Sequence, residues 1–210
     1  MKLKLLLMLS CILLIGSCST PEVAKVVSPP SEFSLLDNAH PDNGDAYLSK
    51  METYDTILKA SPVPIYLLTS EEFASELFLK ISRNNILGLY FYGQTFEDYP
   101  SEFIFINNEL TPEQIMVTYF HELGHYNHRK SKCIACVENP ITREQHAIYN
   151  ELKMGWEYDL PDVLESSVRT MAMYIVGKNS NISYRMATFE VMKTDLWKQT
   201  LAYLKSKEGK

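Results

Sequence analysis

Positive charge is in short supply in this 210-residue chain: 20 Lys and Arg stand against 26 Asp and Glu, for a formal charge of −6. Apart from the short Arg129-Lys130-Ser131-Lys132 run the basic residues are scattered singly. The chain therefore lacks the basic footprint of a nucleic-acid binder. Long apolar runs are missing too. The most apolar stretch, Leu5 to Ile15, falls short of the roughly 20 residues a spanning helix needs. No segment repeats, which excludes a solenoid, and 46% hydrophobic content is enough for one good core but crowded for two. Histidine and cysteine are sparse, at 5 and 4 residues, so their clustering carries information. Three of the histidines fall within His121 to His128.

The N-terminus has the order of an export signal: Lys2 and Lys4, the apolar Leu5 to Ile15, then Ile15-Gly16-Ser17-Cys18. These last four positions resemble the bacterial lipobox. The resemblance implies a signal peptide over residues 1–17 and lipidation of Cys18, with an ordinary secretory signal and a free Cys18 as the alternative. Acyl chains there would anchor the protein to a membrane, since two or more chains hold firmly where one does not. Residues 18–44 carry Pro21, Pro29, Pro30 and Pro41 among Ser, Asp and Asn without a sustained period, which is tether composition. His40 lies there and receives no role.

Residues 45–210 are expected to form one α+β, mainly helical domain. Apolar residues recur at threes and fours from Ala46 to Leu58, predicting a first helix that stops before Ser61-Pro62-Val63-Pro64. Ile65 to Thr69 reads as a strand, and Ser70 as the cap of a second helix with Glu71 and Glu72 in its first turn. Ile86 to Tyr92 and Glu102 to Asn107 are β-branched and aromatic runs, so a small sheet is expected. Thr111, Pro112 and Gln114 announce a helix by a capping box, and Thr142-Arg143-Glu144-Gln145 announces another. Val163 to Val176 and Tyr184 to Leu204 read as two further helices whose Met and aromatic residues suit a core.

The helix after Thr111 carries His121-Glu122-Leu123-Gly124-His125, an H-E-x-x-H motif. Residues i and i+4 of a helix lie on one face, so His121 and His125 can offer two imidazoles to a single ion such as tetrahedral Zn2+. Glu122 sits about 100° round the helix, placed to act as general base rather than ligand. Gly124 inside a helix costs roughly 1 kcal/mol against Ala, which implies close approach of another backbone. A third ligand is needed. On the helix near Arg143, Glu144, Ala147, Ile148 and Glu151 share a face, with Glu144 the first choice and Glu151 the alternative. His128 would spread three ligands over about 10 Å of one straight helix, too far for one ion. A metzincin would need a third histidine at position 131, which is Ser131.

With these residues the chain resembles the single-domain gluzincin metallopeptidases, particularly ImmA/IrrE-type domains, over roughly Ile86 to Met154. There, as with Phe103-Ile104-Phe105-Ile106, a strand precedes the H-E-L-G-H helix. The resemblance implies zinc held by His121, His125 and Glu144, and hydrolysis of peptide bonds by a zinc-activated water with Glu122 as base. One departure is that related gluzincins often carry an acidic residue four after the ligand Glu, where this chain has Ile148. Glu151 and Glu138 are then the candidates to orient a ligand histidine. Tyr149, His146, Arg169 and Tyr174 are candidates to stabilise an oxyanion.

Cys133 and Cys136 lie between the two ligand helices, and an exported location favours a disulfide between them. A redox motif lacks a surrounding βαβ pattern, and a second zinc site lacks partners unless His128 joins. The overall expectation is a zinc peptidase anchored by lipid on the periplasmic side of a bacterial envelope, acting on a peptide or protein. The competing class is a non-catalytic envelope lipoprotein in which zinc merely ties two helices together. Neither the physiological substrate nor the oligomeric state is legible in the sequence.

Overall fold

The computed structural model describes residues 34–35, 44–69, 71–72, 87–93, 100–133, 138–177 and 181–208. Its elements run α1 (Asp45–Lys59), β1 (Ile65–Leu68), β2 (Gly88–Tyr92), β3 (Glu102–Asn107), α2 (Pro112–Lys130), α3 (Pro140–Glu157), α4 (Pro161–Val176), α5 (Ile182–Val191) and α6 (Asp195–Glu208). The fold is α+β and mainly helical, as expected. Beyond Glu72 the helix expected from Ser70 lies outside the described residues, as do the signal, Cys18, Cys136 and all of the expected tether except Ser34, Leu35 and Gly44. Leu35 is buried in the core with Met51 and Tyr54, and its N–H bonds to Asp55 Oδ1 at 2.8 Å, so at that point the expected tether is packed on the domain.

Three strands form one sheet in the order β1-β3-β2. β1 runs parallel to β3, from Ile65 opposite Ile104 to Leu68 opposite Asn107. β2 runs antiparallel to β3, from Gly88 opposite Ile106 to Tyr92 opposite Glu102. The central strand is buried on both faces. Ile104 and Ile106 point into a core shared with Met116, Phe120 and the α1 residues Met51 and Tyr54. Phe103 and Phe105 pack on the opposite face with Tyr66, Leu89 and Phe91. A strand hidden on both sides reads as a continuous apolar run, which is what Phe103-Ile104-Phe105-Ile106 is.

Helix α2 begins with the expected capping box: Thr111 Oγ1 accepts the Gln114 N–H at 3.3 Å, and Gln114 Oε1 accepts the Thr111 N–H at 3.0 Å. Every residue from Ile115 to Gly124 is buried. The helix is sandwiched, with α1 and the sheet on one side and α3 and α4 on the other. Lys50 of α1 donates to Glu113 at 2.7 Å and to Asp162 of α4 at 3.0 Å, tying three helices together. A second core joins α3 to α6 through Ile148, Leu152, Leu164, Met171, Tyr184 and Trp197.

Two expected boundaries move. Helix α3 starts at Pro140, not near Arg143: the Asn139 side chain accepts the N–H groups of Ile141 and Thr142, and Pro140 takes the first helical position. The single helix expected over Tyr184 to Leu204 is two. Thr194 breaks it, donating from Oγ1 to the Val191 carbonyl and accepting the Trp197 N–H to open α6. Apolar periodicity persists across that turn because both helices face the same core.

Candidate metal centre

His121 and His125 stand one turn apart on α2, their rings edge to face with centroids 4.7 Å apart. The ring of His121 is oriented from behind. Its Nδ1 lies 2.7 Å from Glu151 Oε1, and the other carboxylate oxygen of Glu151 accepts the Ser167 hydroxyl of α4 at 2.6 Å. Both supporting residues are essentially inaccessible to solvent, at 1% and 0% exposure. A carboxylate only accepts, so a proton sits on His121 Nδ1, and Nε2 is the nitrogen turned to the cleft, which a metal would take in place of its proton. His125 has no equivalent support among the described residues, where its buried Nδ1 finds no partner.

The two Nε2 atoms are 3.1 Å apart, and Glu144 Oε2 lies 3.2 Å from one and 3.9 Å from the other. Tetrahedral zinc with bonds of about 2.0–2.1 Å requires ligand–ligand edges of about 3.3 Å. The three atoms therefore fit one ion. What sets their spacing is the crossing of α2 and α3. A Cβ placed on Gly124 would sit 2.9 Å from Ala147 Cα and 3.1 Å from Asn150 Cβ, so this glycine is there for close backbone approach. Asn150 Nδ2 fastens the crossing by donating to the Phe120 carbonyl at 2.6 Å.

Glu122 is held on the opposite side by the sheet. Its Oε2 accepts the Tyr90 N–H of β2 at 2.7 Å. Two residues earlier, a side chain on Gly88 would collide with Thr118 Cγ2 and come within 3.0 Å of the Phe105 carbonyl oxygen. Gly88 is therefore what lets α2 lie against β2 and bring Glu122 to the strand.

Charge in the site is strongly unbalanced. Burial pushes the Glu122 carboxyl up to about 7, against the opposing pull of His121 and the Tyr90 amide. Burial also drives His125 down to about 3, and His121 adds to the effect. For His121 burial opposes the charged form, but the Glu144 and Glu151 carboxylates outweigh it and hold the pKa well above the ordinary value. In Glu144 burial acts upward, yet the hydrogen bond and charge of His121 hold the carboxyl below its usual range. Three carboxyl groups surround two imidazoles, and of these groups His121, His125 and Glu144 form the donor set that suits a cation.

These groups open onto a cleft of about 560 Å³, lined among others by Gly88, Tyr90, Arg143, Tyr174 and Tyr184. Residues 72–156 match the peptidase family described as the IrrE N-terminal-like domain. No curated protein and no solved structure matches the chain. The IrrE-like segment takes in β2, β3, α2 and nearly all of α3, and so carries the H-E-x-x-H motif, Glu144 and Glu151. The match supports a zinc-dependent, peptidase-like domain, and the geometry supports metal binding by its His and Glu residues.

Of the carboxylates weighed for this segment, Glu144 stands with the two Nε2 atoms, whereas Glu151 lies behind His121 and Glu138 is exposed ahead of α3. Among the oxyanion candidates Tyr174 lines the cleft. Tyr149 and Arg169 are exposed, Arg169 pairing with Glu165 on its own helix, and His146 stacks on His128. Sequence reasoning missed Tyr184, whose ring centroid is 5.6 Å from that of His121, as well as Ser167 and the Tyr90 amide. Ser167 did leave a signal: it is a polar residue one turn after Val163 and one before Met171, on the apolar stripe of α4.

Proposed function

We propose that this protein is a zinc-dependent peptidase in which His121, His125 and Glu144 hold the metal and Glu122 is the general base. The observation that carries the reading is the triangle of His121 Nε2, His125 Nε2 and Glu144 Oε2, with Glu122 beside it on the strand side of the cleft. Bound zinc supplies Lewis acidity to a carbonyl and lowers the pKa of water.

The remaining steps belong to the chain. Glu122 accepts a proton from the attacking water and returns it to the leaving amine. Glu151 is a positioning residue that fixes the His121 tautomer. Burial and the nearby carboxylates push the Tyr174 phenol up, which keeps it a hydrogen-bond donor for the oxyanion. Along β2, the amide and carbonyl groups of Leu89 and Phe91 face β3, while those of Gly88, Tyr90 and Tyr92 face away from it, beside the cleft. An extended peptide suits that edge. The structural-zinc alternative gives no reason for a buried base at Glu122.

Export with lipid anchoring at Cys18 belongs to the same proposal, with residues 1–17 as signal and 18–44 as tether. No described helix is long and apolar enough to cross a membrane.

The test measures zinc content and cleavage of a mixed peptide library by the full chain in detergent, for wild type, Glu122→Gln and Glu144→Ala. Cleavage by wild type, its loss with zinc retained in Glu122→Gln, and weakened zinc in Glu144→Ala are expected. Tight zinc in every variant, or equal cleavage by wild type and Glu122→Gln, would overturn the assignment.

A further inference from the structure

A second group of metal-ligating side chains lies one helical turn from the first, and its construction begins with the end of α2. Lys132 takes a left-handed conformation, φ 54°. Its N–H bonds to the Arg129 carbonyl at 3.0 Å, and the Cys133 N–H bonds to the His128 carbonyl at 3.1 Å. This pair of bonds is a Schellman closure, which reverses the chain and sets Cys133 back over the last turn of the helix. His128 is on that turn. From the other side α3 brings His146, whose ring stacks on that of His128 with centroids 4.2 Å apart and planes 23° apart.

The three side chains converge. Cys133 Sγ lies 3.9 Å from His146 Nδ1, and one ligand atom from each of His128, Cys133 and His146 falls within 4.8 Å of the others. With Zn–S near 2.3 Å and Zn–N near 2.0–2.1 Å, a tetrahedral site needs an S···N edge of about 3.6 Å. The Cys133–His146 edge is a few tenths of an ångström wider, and the edges to His128, within 4.8 Å, close by rotation of the His128 ring out of its stack on His146. A thiolate with two imidazoles is a donor set for zinc or another borderline-soft divalent ion, and not for calcium or magnesium.

We propose that His128, Cys133 and His146 form a second, sulfur-containing zinc site that clamps the α2–α3 crossing. The placement gives the site its consequence. His128 follows His125 by three residues on α2, and His146 follows Glu144 by two on α3. A metal bridging His128 and His146 therefore fixes the spacing on which the His121, His125 and Glu144 triangle depends. It also ties down the start of the α2–α3 connection. The site stands on its own ligand geometry and does not require that the chain be a peptidase. It competes with a Cys133–Cys136 disulfide, because a sulfur in a disulfide has no thiolate to give.

The test loads the full chain, purified in detergent, with Co2+ as spectroscopic probe and Zn2+ for stoichiometry. A thiolate-to-cobalt charge-transfer band in the near ultraviolet arises only where sulfur is a ligand, and the first site has none. The expected result is two metal ions per chain in wild type with that band present. Cys133→Ser and His146→Ala should each lose the band and one equivalent of metal, while Glu144→Ala keeps the band. A fold check by circular dichroism accompanies each variant. In addition, unlabelled thiols in denatured wild type should be alkylated at Cys133 without prior reduction. One metal per chain without a sulfur band, or Cys133 found in a disulfide, would overturn the proposal. Loss of peptidase activity alone would not bear on it, so the two readings fail separately.

Discussion

Replacing Gly124 with Ala puts the α2–α3 crossing to a quantitative test. The added Cβ would lie 2.9 Å from Ala147 Cα and 3.5 Å from Ala147 Cβ. Ordinary carbon contacts are about 3.5–4.0 Å, so the backbones must separate by about 0.6–1 Å. In a packed core such overfilling costs about 1–3 kcal/mol, partly offset by about 1 kcal/mol of helix propensity gained on leaving glycine. Net destabilisation of the metal-free chain is therefore small, from near zero to about 2 kcal/mol. Metal affinity is the sensitive readout. Glu144 is one turn before Ala147, and His121 is one turn before Gly124, so the separation carries over to the 3.2 Å distance between Glu144 Oε2 and His121 Nε2. Widening it towards about 4 Å would leave both edges from Glu144 beyond the roughly 3.3 Å that zinc needs, since the Glu144–His125 edge is already 3.9 Å and would widen further. Loss of at least tenfold in zinc affinity is expected, or about 1.4 kcal/mol.

Competition with a chromophoric chelator would measure the affinity, and thermal unfolding with and without zinc the stability. Gly155→Ala is the control. Its new Cβ would press on the tip of the Leu164 side chain, between α3 and α4, so it should lower stability without altering zinc affinity. A Gly124→Ala chain that is more stable than wild type and binds zinc equally well would refute the argument, because propensity alone would then account for the site.

Two further outcomes are expected. Glu151→Ala removes the acceptor of His121 Nδ1 and should weaken zinc about 10–100-fold in chelator competition, with Glu151→Gln recovering part of the loss through its amide oxygen; unchanged affinity in Glu151→Ala would show that His121 needs no positioning. In the metal-free chain Glu122 has a folded pKa of about 7 against an ordinary 4.5. A raised pKa gives a contribution that is complete below the unfolded value and is lost as pH rises through the folded one. The neutral Glu122→Gln chain should therefore gain on wild type between pH 5 and 8, by on the order of 3 kcal/mol at most, in urea titrations with chelator present. A pH-independent difference between the two chains would contradict the burial argument.

Legibility in the sequence followed range. The capping box at Thr111, Pro112 and Gln114 was readable because its partners are three residues apart, and β3 because a doubly buried strand is apolar throughout. Asn139 and the capping-box pattern at Thr142 are competing local signals for the start of α3, and only the packed helix selects Asn139. The break at Thr194 was hidden because α5 and α6 both bury apolar residues in one core.

By itself the sequence determined the H-E-x-x-H helix, the face shared by Glu144 and Glu151, and the need for close approach at Gly124. All of these follow from periodicity and residue size along one chain segment. Only the tertiary structure decided that Glu144 meets the two Nε2 atoms while Glu151 stands behind His121. The two glutamates are seven residues apart on one helix face, and the crossing with α2 determines which of them reaches the cleft. The same crossing brings His146 onto His128 and Cys133, residues that local reading kept apart. Helical geometry fixes which residues share a face, whereas the distance between two helices is set by what packs between them.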